Sequence, residues 1–160
     1  DGGEILVFLG SLAGSTAPVQ TPTELVGAEV RLEPGTRLTL DVRPGHEHGV
    51  LVDTGAVVIG DAQLAEGELG YVPVGEESLE LIAGECGARL VLIGGEPLGE
   101  QIVMWWNFIG RTHEEIVEYR ELYQHEITTG EIGRFGPFPA DTPDPIPAPP
   151  MPNARLRSRG

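Results

Sequence analysis

The sequence has no lysine, one cysteine and few aromatic residues, and each scarcity excludes something. All ten basic residues are arginine, set against 25 aspartates and glutamates, for a net charge of −15 at pH 7. Such an acidic chain repels phosphate backbones and anionic lipid heads, so neither nucleic acid nor a membrane surface is expected as a direct partner. The missing lysine follows from composition and carries no function. A lone Cys86 cannot close an internal disulfide, which fits a reduced, cytoplasmic setting. Its turn carries no basic neighbour or helix start to activate the thiol, so it reads as an ordinary turn or core residue. No apolar run approaches the roughly 18 residues of a membrane span. Ile5–Leu9 is too short for a signal peptide and lacks the basic flank. Opening on Asp1, the chain reads as a fragment or a processed product.

What the sequence has in quantity is turn residues, 23 glycines and 14 prolines in 160 positions, with 40% apolar content to build a core. Short apolar runs lie between the turns. Residues 5–9 form a continuous run, and 25–32 alternate as Val26, Ala28, Val30 and Leu32 against Gly27, Glu29 and Arg31. Residues 38–42 follow the Pro34-Gly35 turn. Gly49 to Ile59 is expected as two strand halves folded about Asp53-Thr54-Gly55. Residues 69–74, 79–82 and 89–93 complete the series, the last two parted by Gly84-Glu85-Cys86-Gly87. Turn signals at roughly eight- to twelve-residue spacing predict an all-β antiparallel sandwich or barrel.

Beyond Gly95 the character changes. Residues 96–110 show no clean period but hold both tryptophans. A helix is predicted next, with Thr112 as cap, Glu115 completing a capping box, and Ile116, Tyr119, Tyr123 and Ile127 on one face. Eight of the seventeen residues in 136–152 are proline, which forbids helix or sheet interior. That arm is expected extended, wrapped over a partner surface or loose, with Arg155, Arg157 and Arg159 solvated. The boundaries read as a barrel over 1–110, a helix over 111–130 and a proline-rich tail over 131–160.

The residues that could carry chemistry are few. His46 and His48 are two apart, so a strand would turn both imidazoles to one side, as two ligands of one divalent metal require. Asp53 or Glu80 could add a carboxylate. Against that stands a polar barrel mouth in which the histidines merely hydrogen-bond to Asp41, Asp53 or Glu80. Gly94, Gly95 and Gly99 lack dinucleotide-loop spacing. His113 reads as exposed, and no Ser-His-Asp arrangement can be built. Trp105, Trp106 and Phe108 either close the chain's own barrel or form an interface with another domain or subunit.

Gly94 to Ile116, GGEPLGEQIVMWWNFIGRTHEEI, resembles the end of the C-terminal cupin domain of pirin-like proteins. The features shared are a Gly-Glu-Pro-Leu-x-Glu stretch, an aromatic-rich segment and a Glu-Glu-Ile helix start. Thr21-Pro22-Thr23 and Pro34-Gly35 resemble the start of that domain, so the likeness covers most of residues 5–135. It implies a double-stranded β-helix followed by the helix and arm. Pirin-like proteins are bicupins whose N-terminal half holds iron or another divalent metal through three histidines and a glutamate. Some members cleave flavonols such as quercetin, and others act in transcription. The His-Pro-His segment of the metal-bearing half is absent here, so the chain resembles the C-terminal half, which generally holds no metal.

Two registers of the cupin metal motif are open. In one, His46, His48 and Asp53 fill ligand positions and Ser78 takes the place of a last histidine. In the other, anchored on Leu51–Gly55, the histidine pair falls on Asp41 and Arg43, His48 takes the carboxylate position, and Ser78 again stands last. The second register puts an arginine where a dication would sit, and the site reads as vestigial. The resemblance therefore implies a non-catalytic half with no cofactor of its own. Its partners would be an N-terminal cupin or a second copy, with room for a small aromatic ligand. The alternatives are a metal-dependent dioxygenase of flavonol-like substrates, using iron or another divalent metal, and a protein-interaction module in transcription.

Overall fold

The computed structural model describes residues 2–139 and 141–158. It divides into two compact units, Asp1–Leu98 and Gly99–Gly160. The first is all-β. Its main strands are β1 (Gly3–Leu9), β4 (Leu25–Leu32), β5 (Arg37–Asp41), β6 (Glu47–Ile59), β7 (Ala62–Ala65), β8 (Leu69–Val72) and β9 (Ser78–Gly95). A small hairpin of β2 (Ser11–Leu12) and β3 (Ser15–Thr16) lies between β1 and β4. Ala13 and Gly14 both take positive φ in its two-residue turn, as a tight hairpin needs.

Two long strands organise this unit. β6 and β9 pair antiparallel from Glu47↔Gly95 to Ile59↔Leu81, and each changes its outer partner along its length. The first part of β9 pairs with β5 and the second with β4; the first part of β6 pairs with β8 and the second with β7. Two sheets thus share two bent strands, which is the expected double-stranded β-helix.

The bend corrects the reading of Asp53-Thr54-Gly55 as a hairpin turn and of Gly84–Gly87 as a loop. Both segments lie inside continuous strands. The register shifts between Val52 and Thr54 and again between Gly55 and Val57. These are bulges, which bend a strand without ending it. Gly55 has φ of 82° and Gly87 of 77°, and a methyl group on Gly55 would collide with the Gly87 carbonyl. Glycine is needed at that position for a barrel corner.

Period-two alternation puts the core between the sheets. His48, Val50 and Val52 point inward on β6, while Leu79, Leu81, Leu90 and Leu92 do so on β9. Val30, Val50, Val52, Leu81, Leu90 and Leu92 are fully buried. Each such side chain contributes about 1.5–3 kcal/mol over its exposed state.

The second unit holds β10 (Val103–Trp105), β11 (Phe108–Gly110) and α1 (His113–Thr129). The barrel unit therefore ends at Leu98, and the aromatic hairpin belongs with the helix. Thr112 caps α1 by accepting from the Glu115 amide at 3.1 Å. Glu115 reaches back to the amide of Arg111 at 2.7 Å, so the box closes one residue further out than expected. Phe108, Ile116, Val103 and Ala148 are buried in a small core, with Trp105, Trp106 and Tyr123 packed against it.

The proline-rich arm folds back on its own helix. Arg120 donates to the Pro149 carbonyl and Tyr123 to the Ile146 carbonyl, both at 2.8 Å. Arg155 forms a two-point pair with Glu114, so it is an anchor rather than a free cation. Arg157 is exposed, and Arg159 lies outside the described residues. The buried carboxylate of Glu126 accepts the amides of Arg134, Phe135 and Gly136 at 2.8, 2.9 and 3.1 Å. No helix among the described residues is long and apolar enough to cross a membrane.

Candidate functional site

One end of the barrel opens on a cavity of about 460 Å³. Its charged lining and His46 come from three segments. Glu24 precedes β4, Asp41 ends β5, and a turn from Arg43 to His46 leads into β6. The His46 amide closes that turn on the Arg43 carbonyl at 3.0 Å, and Pro44 occupies its second position. The turn sets Arg43 and His46 on either side of Glu24. Arg43 pairs directly with the Glu24 carboxylate, and Nε2 of His46 lies 3.7 Å from it, outside hydrogen-bond range.

His48 sits deeper, between Gly94 of β9 and Val72 of β8. Gly94 makes the space: a Cβ there would lie 2.7 Å from Cδ2 of His48 and 2.6 Å from the Glu47 carbonyl oxygen. The two imidazoles are 5% and 2% exposed, with ring centroids 6.2 Å apart. His48 is on β6 and His46 in the turn just before it.

Nε2 of His46 and Nδ1 of His48 are buried without a hydrogen-bond partner among the described residues. Leaving such a group unsatisfied costs about 1–3 kcal/mol. Burial, with the neighbouring His46 ring second, lowers the pKa of His48 and favours its neutral form. The Arg43 guanidinium, through its hydrogen bond and then its charge, holds Glu24 below the usual carboxylate range; Glu24 in turn raises Arg43.

The remaining sequence candidates lie elsewhere. Asp53 is exposed on β6 and pairs with Arg89 at 2.8 Å; Arg89 also holds Glu29 at 2.8 Å. Glu80 is exposed on β9 and pairs with Arg37 at 2.7 Å. Neither lines the cavity. Parity explains this: Glu80 falls between inward Leu79 and Leu81, and Asp53 follows inward Val52. Asp41 does line the cavity and is matched in register with Ser78.

Sequence reasoning did not single out Glu24 as a functional residue. Its only signal was its place just after Thr21-Pro22-Thr23, at the threshold of a strand. The aromatic candidates pack within the second unit. Phe108 is 4% exposed, and Trp106 packs on Phe108 and Tyr123 at 5.3 and 5.6 Å between centroids.

A divalent metal does not fit the mouth as built. No group of three or more His, Cys, Asp or Glu side chains among the described residues could hold one. Two imidazoles and a carboxylate would match a facial triad in number, but the carboxylate is already paired with a guanidinium, which leaves two free donors where transition-metal sites use three or four.

The barrel also carries an apolar depression of about 670 Å³, walled by Leu25, Leu69, Tyr71, Ile93 and Leu98. All five side chains are exposed. Ile93 stands between Gly27 and Gly49 in the sheet register, with Tyr71 on the far side of Gly49. The Phe8 ring lies over Gly27, while the Ile93 and Leu69 side chains approach Gly49.

Residues 27–128 match the pirin C-terminal cupin domain. The chain belongs to that family. It is 34% identical over 146 residues, 91% of its length, to a Pseudomonas aeruginosa protein provisionally named a quercetin 2,3-dioxygenase, covering 44% of that protein. An Arabidopsis thaliana pirin-like protein is 29% identical over 126 residues, 74% of this chain and 41% of its own. Among solved structures, quercetin 2,3-dioxygenase from Acinetobacter baumannii superposes with a TM-score of 0.81 at 29% identity, over 99% of this chain and 50% of that one. This pirin-type domain thus spans about half the length, or less, of the relatives it matches.

Proposed function

We propose that this domain is the non-catalytic half of a two-cupin protein and packs against a metal-bearing cupin. The observation that carries the reading is the Arg43–Glu24 pair beside His46 and His48. A guanidinium occupies the electrostatic role a dication would have, and it engages the Glu24 carboxylate that lies beside His46. A metal entering there would meet a fixed positive charge and an incomplete donor set. Strand parity turns Asp53 and Glu80 away from the cavity, and each is paired with an arginine on the surface.

The docking surface we assign to the partner cupin is the depression walled by Leu25, Leu69, Tyr71, Ile93 and Leu98. Contiguous exposed apolar side chains of this kind mark interaction sites. The aromatic hairpin suits that role less, because its rings face the inside of their own unit. The names of its relatives support oxidation of a flavonol by the whole protein, and the Arg43–Glu24 pair is our reason for assigning that chemistry to the other half.

A second reading, in which this domain is itself the dioxygenase, draws on the two unpartnered imidazole nitrogens. It requires Glu24 to leave Arg43. Aerobic quercetin turnover separates the readings. The purified chain supplied in turn with Fe, Mn, Co, Ni or Cu is expected to match the metal-only blank. Metal-dependent turnover that disappears in His46→Ala or His48→Ala would overturn the non-catalytic assignment.

A further inference from the structure

We propose that the mouth cavity binds a small uncharged hydroxylated compound, whose hydroxyl groups meet Nε2 of His46 and Nδ1 of His48. Its apolar body would lie against Leu12, Val26 and Val42, which line the same space. This inference goes beyond the assignment of a non-catalytic half and does not depend on it.

Three observations select that chemistry. First, the two ring nitrogens are buried and lack partners among the described residues, on side chains that line the cavity, whereas buried polar groups nearly always have one. Second, an imidazole nitrogen presents either an N–H or a lone pair according to tautomer. A hydroxyl can donate or accept and so answers both, whereas a carboxylate only accepts and an ammonium only donates. Third, the charges at the mouth disfavour an anion: Arg43 is already paired with Glu24, and Asp41 adds a second carboxylate. Burial keeps His48 toward its neutral form, which removes another attraction for an anion. The volume, about 460 Å³, lies in the range of small-molecule sites.

The test is an NMR titration of the 15N-labelled chain near neutral pH, read at the histidine ring nitrogens. Three probes of similar size are used: catechol, an uncharged diol; benzoate, an anion; and toluene, which has no hydroxyl. Catechol is expected to shift His46 and His48 saturably, and benzoate and toluene are expected not to. His48→Leu should weaken catechol by about tenfold, the effect of one lost hydrogen bond. Thr23→Phe, at an exposed position lining the mouth, should abolish binding by filling the entrance.

The proposal is overturned if catechol gives no saturable shift up to its solubility limit, which would leave solvent alone in the cavity. It is equally overturned if benzoate binds as well as catechol, or if Thr23→Phe leaves catechol binding intact. Should His48→Leu fail to fold, the Thr23→Phe result decides alone. Quercetin turnover is not read in any arm, so failure here leaves the non-catalytic assignment standing.

Discussion

At the residue scale the structure turns on His48. Period-two spacing predicts it and His46 on one strand; His46 lies in the turn just before β6, and the structure buries both. The same parity rule tells against Asp53 and Glu80, and their surface pairs with Arg89 and Arg37 fit it. Glu24 was not legible, because its approach to Arg43 is a contact between distant segments and leaves no local pattern. For His48 the sign of titration is fixed by burial. Its folded pKa lies below the ordinary 6.5, so it contributes stability above that pH and loses it as pH falls through 6.5 toward the folded value. An NMR pH titration is expected to give a His48 midpoint below 6.5; a midpoint at or above it would contradict the buried, neutral ring. Glu29 behaves as a depressed carboxyl. Its hydrogen bonds to Arg89 and then Arg31 lower it from 4.5 to about 2, so its contribution fades between those values. Replacing Arg89 with Leu should flatten that part of the acid-stability curve, as followed by circular dichroism.

At the element scale the positions of most barrel strands were legible, but their number and continuity were not. Glycine at 55 and the Gly84–Gly87 segment signal a departure from regular strand, but the local signal for a bulge is the same as for a turn. Only the pairing of β6 with β9 across both segments decides between them. Gly55→Ala puts a side chain at φ of 82° against the Gly87 carbonyl and should cost about 1–3 kcal/mol or more in denaturant unfolding. The helix was read nearly to its ends from Thr112 and its apolar spacing, because capping and amphipathicity are local. Buried Glu126 broke the pattern: it sits among apolar positions because three amides of the following segment need an acceptor. Glu126→Ala would strand those donors, each at a cost of about 1–3 kcal/mol. Hydrogen exchange is expected to accelerate at Arg134, Phe135 and Gly136; unchanged protection there would mean the carboxylate is not what holds the segment.

At the scale of the whole molecule, net charge and exposed apolar surface oppose each other. The −15 charge drives copies apart, while Leu25, Leu69, Tyr71, Ile93 and Leu98 present a face that water covers poorly. Separated from a partner cupin, the chain should therefore self-associate more as salt screens the repulsion. Light scattering should show association rising with salt and reversed by Ile93→Glu. A monomer at every salt concentration would argue against this face as an interface.

At the mouth, the Arg43–Glu24 pair is proposed to stand in place of a metal and its carboxylate. Elemental analysis of the chain after purification without chelators tests it most directly. Iron, manganese, cobalt, nickel, copper and zinc are each expected far below one equivalent, and the result should be the same after incubation with the metals and desalting. A stoichiometric metal that is retained through desalting and lost in His46→Ala would contradict the account.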